Sequence, residues 1–281
     1  MAMNKKQKKI IDLTVKYFFS AVLIVFFFFP FLFMINKSMF TIDELGGVDV
    51  HFFPNHFNLA NYKVFADYLS YLGNTMQVVL INCVFIPLTA CLSAYPLARR
   101  RFHGKKVVFL IIMATVMMPG VVLQIPTYIM FSGMGLVDNL ASLWVQAFFG
   151  GGALNIFLVI QFMRTIPKDF DEAAKIDGAN AFQIFFLIIF PQLFNVMLYI
   201  AITVGIGLWM DFQGPLIYLV SEENRTLALQ FYISYTNATT VISKQNELAA
   251  MAVCMTIPPI VLFLVFQKKM IGGIKIGGVK G

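Results

Sequence analysis

Between Tyr17 and Ile35 the chain carries no charged residue at all, and four of the residues in that stretch are the consecutive Phe26, Phe27, Phe28 and Phe29. A block of this length matches the roughly 20 residues that a helix needs to cross a bilayer. Further apolar blocks run from Leu72 to Ala98, Val107 to Phe131, Leu140 to Met163 and Leu248 to Gln267. Another begins near Gln183 and ends near Met210. Only 12% of the 281 residues are charged and 59% are hydrophobic, about half the charge that a water-facing surface normally carries. A transmembrane barrel would show alternating segments of about ten residues instead. The blocks therefore predict an all-α integral membrane protein of six transmembrane helices.

The basic residues predict the orientation. Seventeen Lys and Arg lie in the N-terminal segment, the 2–3 loop, the 4–5 loop and the C-terminal segment, and four lie in the other three loops. The richer side faces the cytoplasm, so both termini are expected there. The organisation follows as a cytoplasmic tail over 1–16, a six-helix domain over 17–267 with external loops at 36–70 and 221–247, and a second cytoplasmic tail over 268–281. The net charge of +7 is a topology signal rather than a nucleic-acid surface, because the basic residues flank spans. The first block is read as an anchored helix and not a cleaved leader, since no small-residue cleavage pattern follows it.

Chemistry of its own is not expected. No phosphate loop of the Gly-x-x-x-x-Gly-Lys-Ser/Thr kind occurs, and no catalytic triad or carboxylate pair lies within a span. Cys83, Cys91 and Cys254 are read as small apolar packing residues. Ion-coupled carriers usually need ionisable groups inside their spans, and Asp211 is the one acid next to a span interior. It is read either as a pathway residue or as a cap.

The spans are interrupted by Met118-Pro119-Gly120 and Pro126, by Gly150-Gly151-Gly152, by Pro191, by Gly214-Pro215 and by Pro258-Pro259. Breaks at membrane depth are tolerated only where the freed backbone faces protein or a water-filled cavity. Gln124, Gln146, Asn155, Gln161 and Asn195 recur near them. Singly they suit interhelical hydrogen bonds, and as a set they suit a polar path.

One stretch is polar where its surroundings are not. Over 166–191 the sequence predicts a helix, a sharp corner and a second helix on the cytoplasmic side. Ile166-Pro167 suits a helix start. Asp169, Asp171 and Glu172 complement its positive end, and Gly178 suits a left-handed stop. Asn180 with Gln183 predicts a capping box. Ala173, Ala174 and Gly178 leave little bulk at the corner, so a partner could approach closely.

Glu172-Ala173-Ala174, Asp177-Gly178 and Ile188-Ile189-Phe190-Pro191 resemble the EAA loop of binding-protein-dependent ABC importer permeases, with Phe190 where leucine is usual. YPLARRRFHGKK after the second span, WMDFQGPLIYL from Trp209 to Leu219, and the tail GGVKG are similar to segments of the carbohydrate-uptake branch. They resemble most the shorter permease of maltose-type systems. The resemblance implies a type I importer architecture in the bacterial cytoplasmic membrane. It implies that Glu172, Ala173, Ala174, Asp177, Gly178 and Pro191 couple the chain to an ATPase subunit, with Glu172 and Gly178 foremost. The implied partners are a second homologous permease, two cytoplasmic ATPase subunits and an extracytoplasmic binding protein. ATP and Mg would sit on the ATPase and no cofactor on this chain. Gln146, Asn155, Trp209 and Asp211 are the expected pathway residues, Trp209 suiting a sugar ring and the others hydroxyl groups. Tyr232 and Tyr235 are expected to pack the second external loop or to meet the binding protein. A non-sugar solute is the near alternative cargo, and an ion-coupled carrier the alternative class.

Overall fold

A computed structural model describes residues 5–46, 52–237 and 243–274. The tail motif GGVKG, part of each external loop and His51 lie outside the described residues. The main helices are α1 (Lys5–Ser38), α2 (Leu69–Arg99), α3 (Lys105–Val116), α4 (Gly120–Gly133), α5 (Ala153–Thr165), α6 (Asp169–Ile176) and α7 (Ala181–Gln192). They continue as α8 (Phe194–Met210), α9 (Gln213–Tyr218), α10 (Leu227–Thr236) and α11 (Gln245–Ile274). The described residues form helices, turns and loops, with no strand among them.

Four stretches are long and apolar enough to cross a membrane: Lys9–Ser38, Leu59–Arg99, Leu140–Thr165 and Gln245–Lys268. Counting each of two bent pairs, α3 with α4 and α7 with α8, as one span gives six. The first pair turns by 103° at Met117 to Pro119, the break that Pro119 and Gly120 predict, and the second turns by 66° just after Pro191. α1 starts within the segment read as a tail. α11 runs without interruption through Pro258-Pro259, which corrects the expected break there. The prolines remove two backbone donors, and a helix in a bundle absorbs such a loss locally.

The chain divides into two compact units, 1–67 with 233–258, and 68–232 with 259–281. In the first, a buried amide knot ties the end of α1 to the loop after it. Asn61 donates to Ser38 O and Phe40 O (both 2.8 Å), and Asn246 donates to Asn61 Oδ1 (2.9 Å). The side chains of α1 from Tyr17 to Phe33 are largely exposed, which leaves them for lipid or another subunit.

In the second unit α8 and α5 pack against α2. Ala90, Cys91 and Ala94 on α2 are fully buried and let the helices approach closely. Val159, Ile160 and Met163 meet them from α5, and Ile200 from α8. Cys91 thus packs as its small size predicts.

Gly150, Gly151 and Gly152 all have left-handed φ (85°, 59° and 108°) and unwind the fourth span within its apolar length. The freed backbone is met by Asn82 and Thr89, which the sequence does not flag, and by Asn155, which it does. Asn82 Nδ2 donates to Leu143 O (3.1 Å), and Thr89 Oγ1 lies 2.6 Å from Ala147 O while accepting from Gly150 N (3.1 Å). Asn155 Nδ2 donates to Gly151 O (2.9 Å). Thr89→Val keeps the shape and removes the hydroxyl. It is expected to destabilise the permease by about 1–2 kcal/mol, read as a lower melting temperature in detergent. An unchanged melting temperature would show that the unwound segment does not need Thr89.

Candidate functional site

The 166–191 corner is built as its residues predict. Helix α6 carries Asp169, Asp171 and Glu172 in its first turn. It ends in a paired arrangement: Gly178 N donates to Lys175 O (3.1 Å) and Ala179 N to Ala174 O (2.9 Å). This double closure needs a residue in the left-handed region, and Gly178 supplies it at φ +83°. A Cβ there would meet nothing within 4 Å, so conformation and not crowding demands glycine. Asn180 Oδ1 then accepts from Phe182 N and Gln183 N (both 3.0 Å), while Asn180 N donates to Gln183 Oε1 (2.8 Å). The predicted capping box is complete.

The two alanines do different jobs. Ala173 faces outward with Glu172, Asp177 and Gly178, whereas Ala174 is buried in the core. The outward face also carries Phe170, Ile176 and Phe182, with Ile176 87% exposed. Three apolar side chains around a polar turn form a surface suited to burial against protein. Helix α7 widens into a π-helical stretch over Ile184–Ile189, with Phe190 N reaching Phe185 O. Such widening and a following proline are both recognised causes of a bend. Pro191 therefore sits where the corner passes into the membrane helix.

A buried ion pair, which sequence reading missed, holds the corner. Arg99 at the end of α2 donates from Nη1 to Asp171 Oδ2 (2.9 Å), and from Nη2 to Met163 O and Ile166 O (both 2.8 Å). Its side chain is 3% exposed. The one guanidinium closes the end of α5 and clamps the first turn of α6. Tyr95 adds to the clamp through its ring against Phe185 (4.9 Å between centroids). Arg99 belongs to the YPLARRR segment quoted above, but its partner lies 72 positions away.

The expected pathway residues separate. Gln146 and Asp211 share the wall of a cavity of about 460 Å³ with Asn82, Gly151 and Gly207. Asp211 Oδ1 also accepts from Gln213 N (3.0 Å) and Gly214 N (3.2 Å), so it caps α9 and lines the cavity. Asn155 stands behind the wall, holding Gly151 O. Trp209 is turned into the packed interior and is 7% exposed.

On the side that the charge count places outside, Asp138 at φ 59° accepts from Val220 N (2.9 Å), Ser221 N (2.8 Å), Ser221 Oγ and Asn224 Nδ2. The Ser221 hydroxyl and these amides hold its carboxyl well below the usual carboxylate range. Tyr232 stacks on Phe212 (4.3 Å, 15°), a packing role. Tyr235 is exposed.

The pattern for binding-protein-dependent transport system inner membrane components matches residues 86–272. The melibiose/raffinose/stachyose import permease protein MelC of Bacillus subtilis is 34% identical over 74% of this chain and 75% of its own. The arabinooligosaccharides transport system permease protein AraQ of Halalkalibacterium halodurans is 29% identical over 99% of this chain and 100% of its own. The maltose/maltodextrin permease MalG of Vibrio vulnificus is 30% identical over 76% and 73%. A crystal structure of a bacterial ABC transporter that imports the acidic polysaccharide alginate contains a chain of the same fold. It has TM-score 0.82 and 21% identity, and the match covers 95% of this chain and 99% of that one. A multi-pass membrane protein of matching fold, this chain belongs to the family of binding-protein-dependent transport system inner membrane components.

Proposed function

We propose that this chain is the permease subunit of an ATP-driven carbohydrate importer in a bacterial cytoplasmic membrane. It forms half of the path and meets a cytoplasmic ATPase subunit through the 166–191 corner. The observation that carries the reading is the corner itself: a hydrogen-bonded turn at a span end that presents Glu172, Ala173, Ile176 and Gly178 outward. A second homologous permease supplies the other half of the path, and two ATPase subunits bind ATP and Mg. Closure of the ATPase pair moves the two corners, and an extracytoplasmic binding protein delivers the solute. The chain itself is a transport subunit without a catalytic step.

Carbohydrate is favoured as cargo by the names of MelC, AraQ and MalG. The cavity supports it with Gln146 and Asp211, which suit hydroxyl groups. Asn155, beside Gly151, and Trp209 act on the path through packing rather than contact.

Glu172→Lys and Gly178→Pro are expected to leave the permease inserted and to reduce transport at least about tenfold. The loss of one docking contact of roughly 1.4 kcal/mol or more would suffice. Transport and substrate-stimulated ATP hydrolysis in the assembled complex are the measurements. Wild-type values in both variants would overturn the coupling role. Uptake that survives loss of the ATPase and collapses with an ionophore would replace the reading by an ion-coupled carrier.

A further inference from the structure

Beside the corner, the end of α2 and the first turns of α6 enclose a second cavity of about 430 Å³. The buried pair Arg99–Asp171 forms its floor. Its walls carry Arg100, Arg101, Lys168 and Lys175, with Glu172 as the remaining carboxylate. Among the described residues the ion pairs are Arg99–Asp171 and Lys244–Glu247, so these four cations have no ion-pair partner there. More positive charge stands close by. Lys105 Nζ donates to Arg100 O (2.8 Å), and Arg164 at the end of α5 lies over the Phe109 ring (5.8 Å).

Orientation of the chain requires cations near span ends, but it does not require them to gather around one cavity. Gathered like charges repel, and the energy falls when an anion enters between them. The depth is informative too. Arg99 ends one candidate span, Lys105 begins the next and Arg164 lies one residue from the end of a third. The cavity is therefore level with the headgroups of the adjoining leaflet, where basic pockets between helices hold anionic headgroups.

We propose that this cavity binds a phosphate-bearing anion, the headgroup of an anionic phospholipid. Arg101 and Lys168, both exposed, donate to its phosphate oxygens from α2's end and from the residue before α6. The lipid bridges the two elements that the buried ion pair joins beneath it, and ties the corner to the leaflet.

The test uses the assembled transporter, purified in detergent and loaded with phosphatidylglycerol or phosphatidylcholine. Bound lipid is counted by native mass spectrometry. Phosphatidylglycerol is expected to stay bound to the wild type. Its affinity is expected to fall roughly tenfold in Arg101→Gln/Lys168→Gln. The same loss of charge in α1, as Lys9→Gln/Lys16→Gln, is expected to leave binding unchanged. Equal losses in both variants, or equal binding of phosphatidylcholine, would overturn the proposal in favour of general surface charge. Inorganic phosphate that binds lipid-free transporter and displaces phosphatidylglycerol would support the phosphate chemistry and move its source to the solution. Binding by the permease pair alone that vanishes on adding the ATPase would overturn the proposal, because the cavity would then be a protein interface. A melting temperature within error of wild type separates lost binding from lost folding in each variant.

Discussion

Arg99→Met is expected to lower stability by about 3–5 kcal/mol, the usual consequence of removing one partner from a buried ion pair. Methionine fills much of the volume, so packing changes little and the loss is electrostatic. It leaves the Asp171 carboxylate without its cation in a buried place, and it strips a donor from Met163 O and Ile166 O. Melting of the detergent-purified permease reads the loss. Transport in the assembled complex is expected to fail with it, because α6 loses its seat. Arg99→Met with Asp171→Leu should recover part of the stability by removing the stranded charge. It should not recover all of it, since each unpaired carbonyl still costs about 1–3 kcal/mol. A single variant as stable as wild type, or a double variant worse than the single, would show that the pair does not hold the corner.

Gly151→Ala is the second large effect, and its origin is steric. At φ +59° an L side chain is strained, by about 1–2 kcal/mol. A Cβ would also lie 2.6 Å from Cδ1, Cγ1 and Cγ2 of Ile86, which adds about 1–3 kcal/mol of overpacking. The expected sum is several kcal/mol, visible as poor yield of folded permease and a lowered melting temperature. Ile86→Ala alone costs about 2–5 kcal/mol because Ile86 is buried in the core, so the contact is isolated by a cycle of both single variants and the double. The double is expected to be more stable than the sum of the two singles predicts, and simple additivity would show that the clash with Ile86 is not the cause.

What the sequence discloses here follows the range of the forces involved. The spans are legible because a bilayer demands unbroken apolar length. The caps of the corner are legible because Gly178, Asn180 and Gln183 satisfy amides within a few residues of themselves. Pro119-Gly120 and Gly150 to Gly152 announce their breaks for the same reason. Pro258-Pro259 did not break α11, since proline in a membrane bundle can be absorbed by the helix around it. Arg99–Asp171, Thr89 with Gly150, and Asp138 with Ser221 were not legible. Their partners stand far apart in sequence, and each of the polar side chains involved reads alone as an ordinary loop or helix residue. Ala174 and Trp209 illustrate the same limit. Their types suit an open turn and a sugar ring, but the face each occupies depends on neighbours that only the fold supplies.

The double closure at Gly178 and the capping box at Asn180 leave one residue, Ala179, between two finished ends, and its own N–H already belongs to the first of them. Such a joint is counted in residues. An extra residue between Ile176 and Ala181 would part the double closure from the capping box and release Ile184 and Phe185 from the fixed exit that seats them in the core. Deleting one would remove a residue that one of the two closures uses. Side chains on the outer surface can change singly and keep this register. The length of the turn cannot change without re-aiming the whole membrane helix behind it, so in this chain insertions and deletions at 177–180 are the alterations that selection should refuse first.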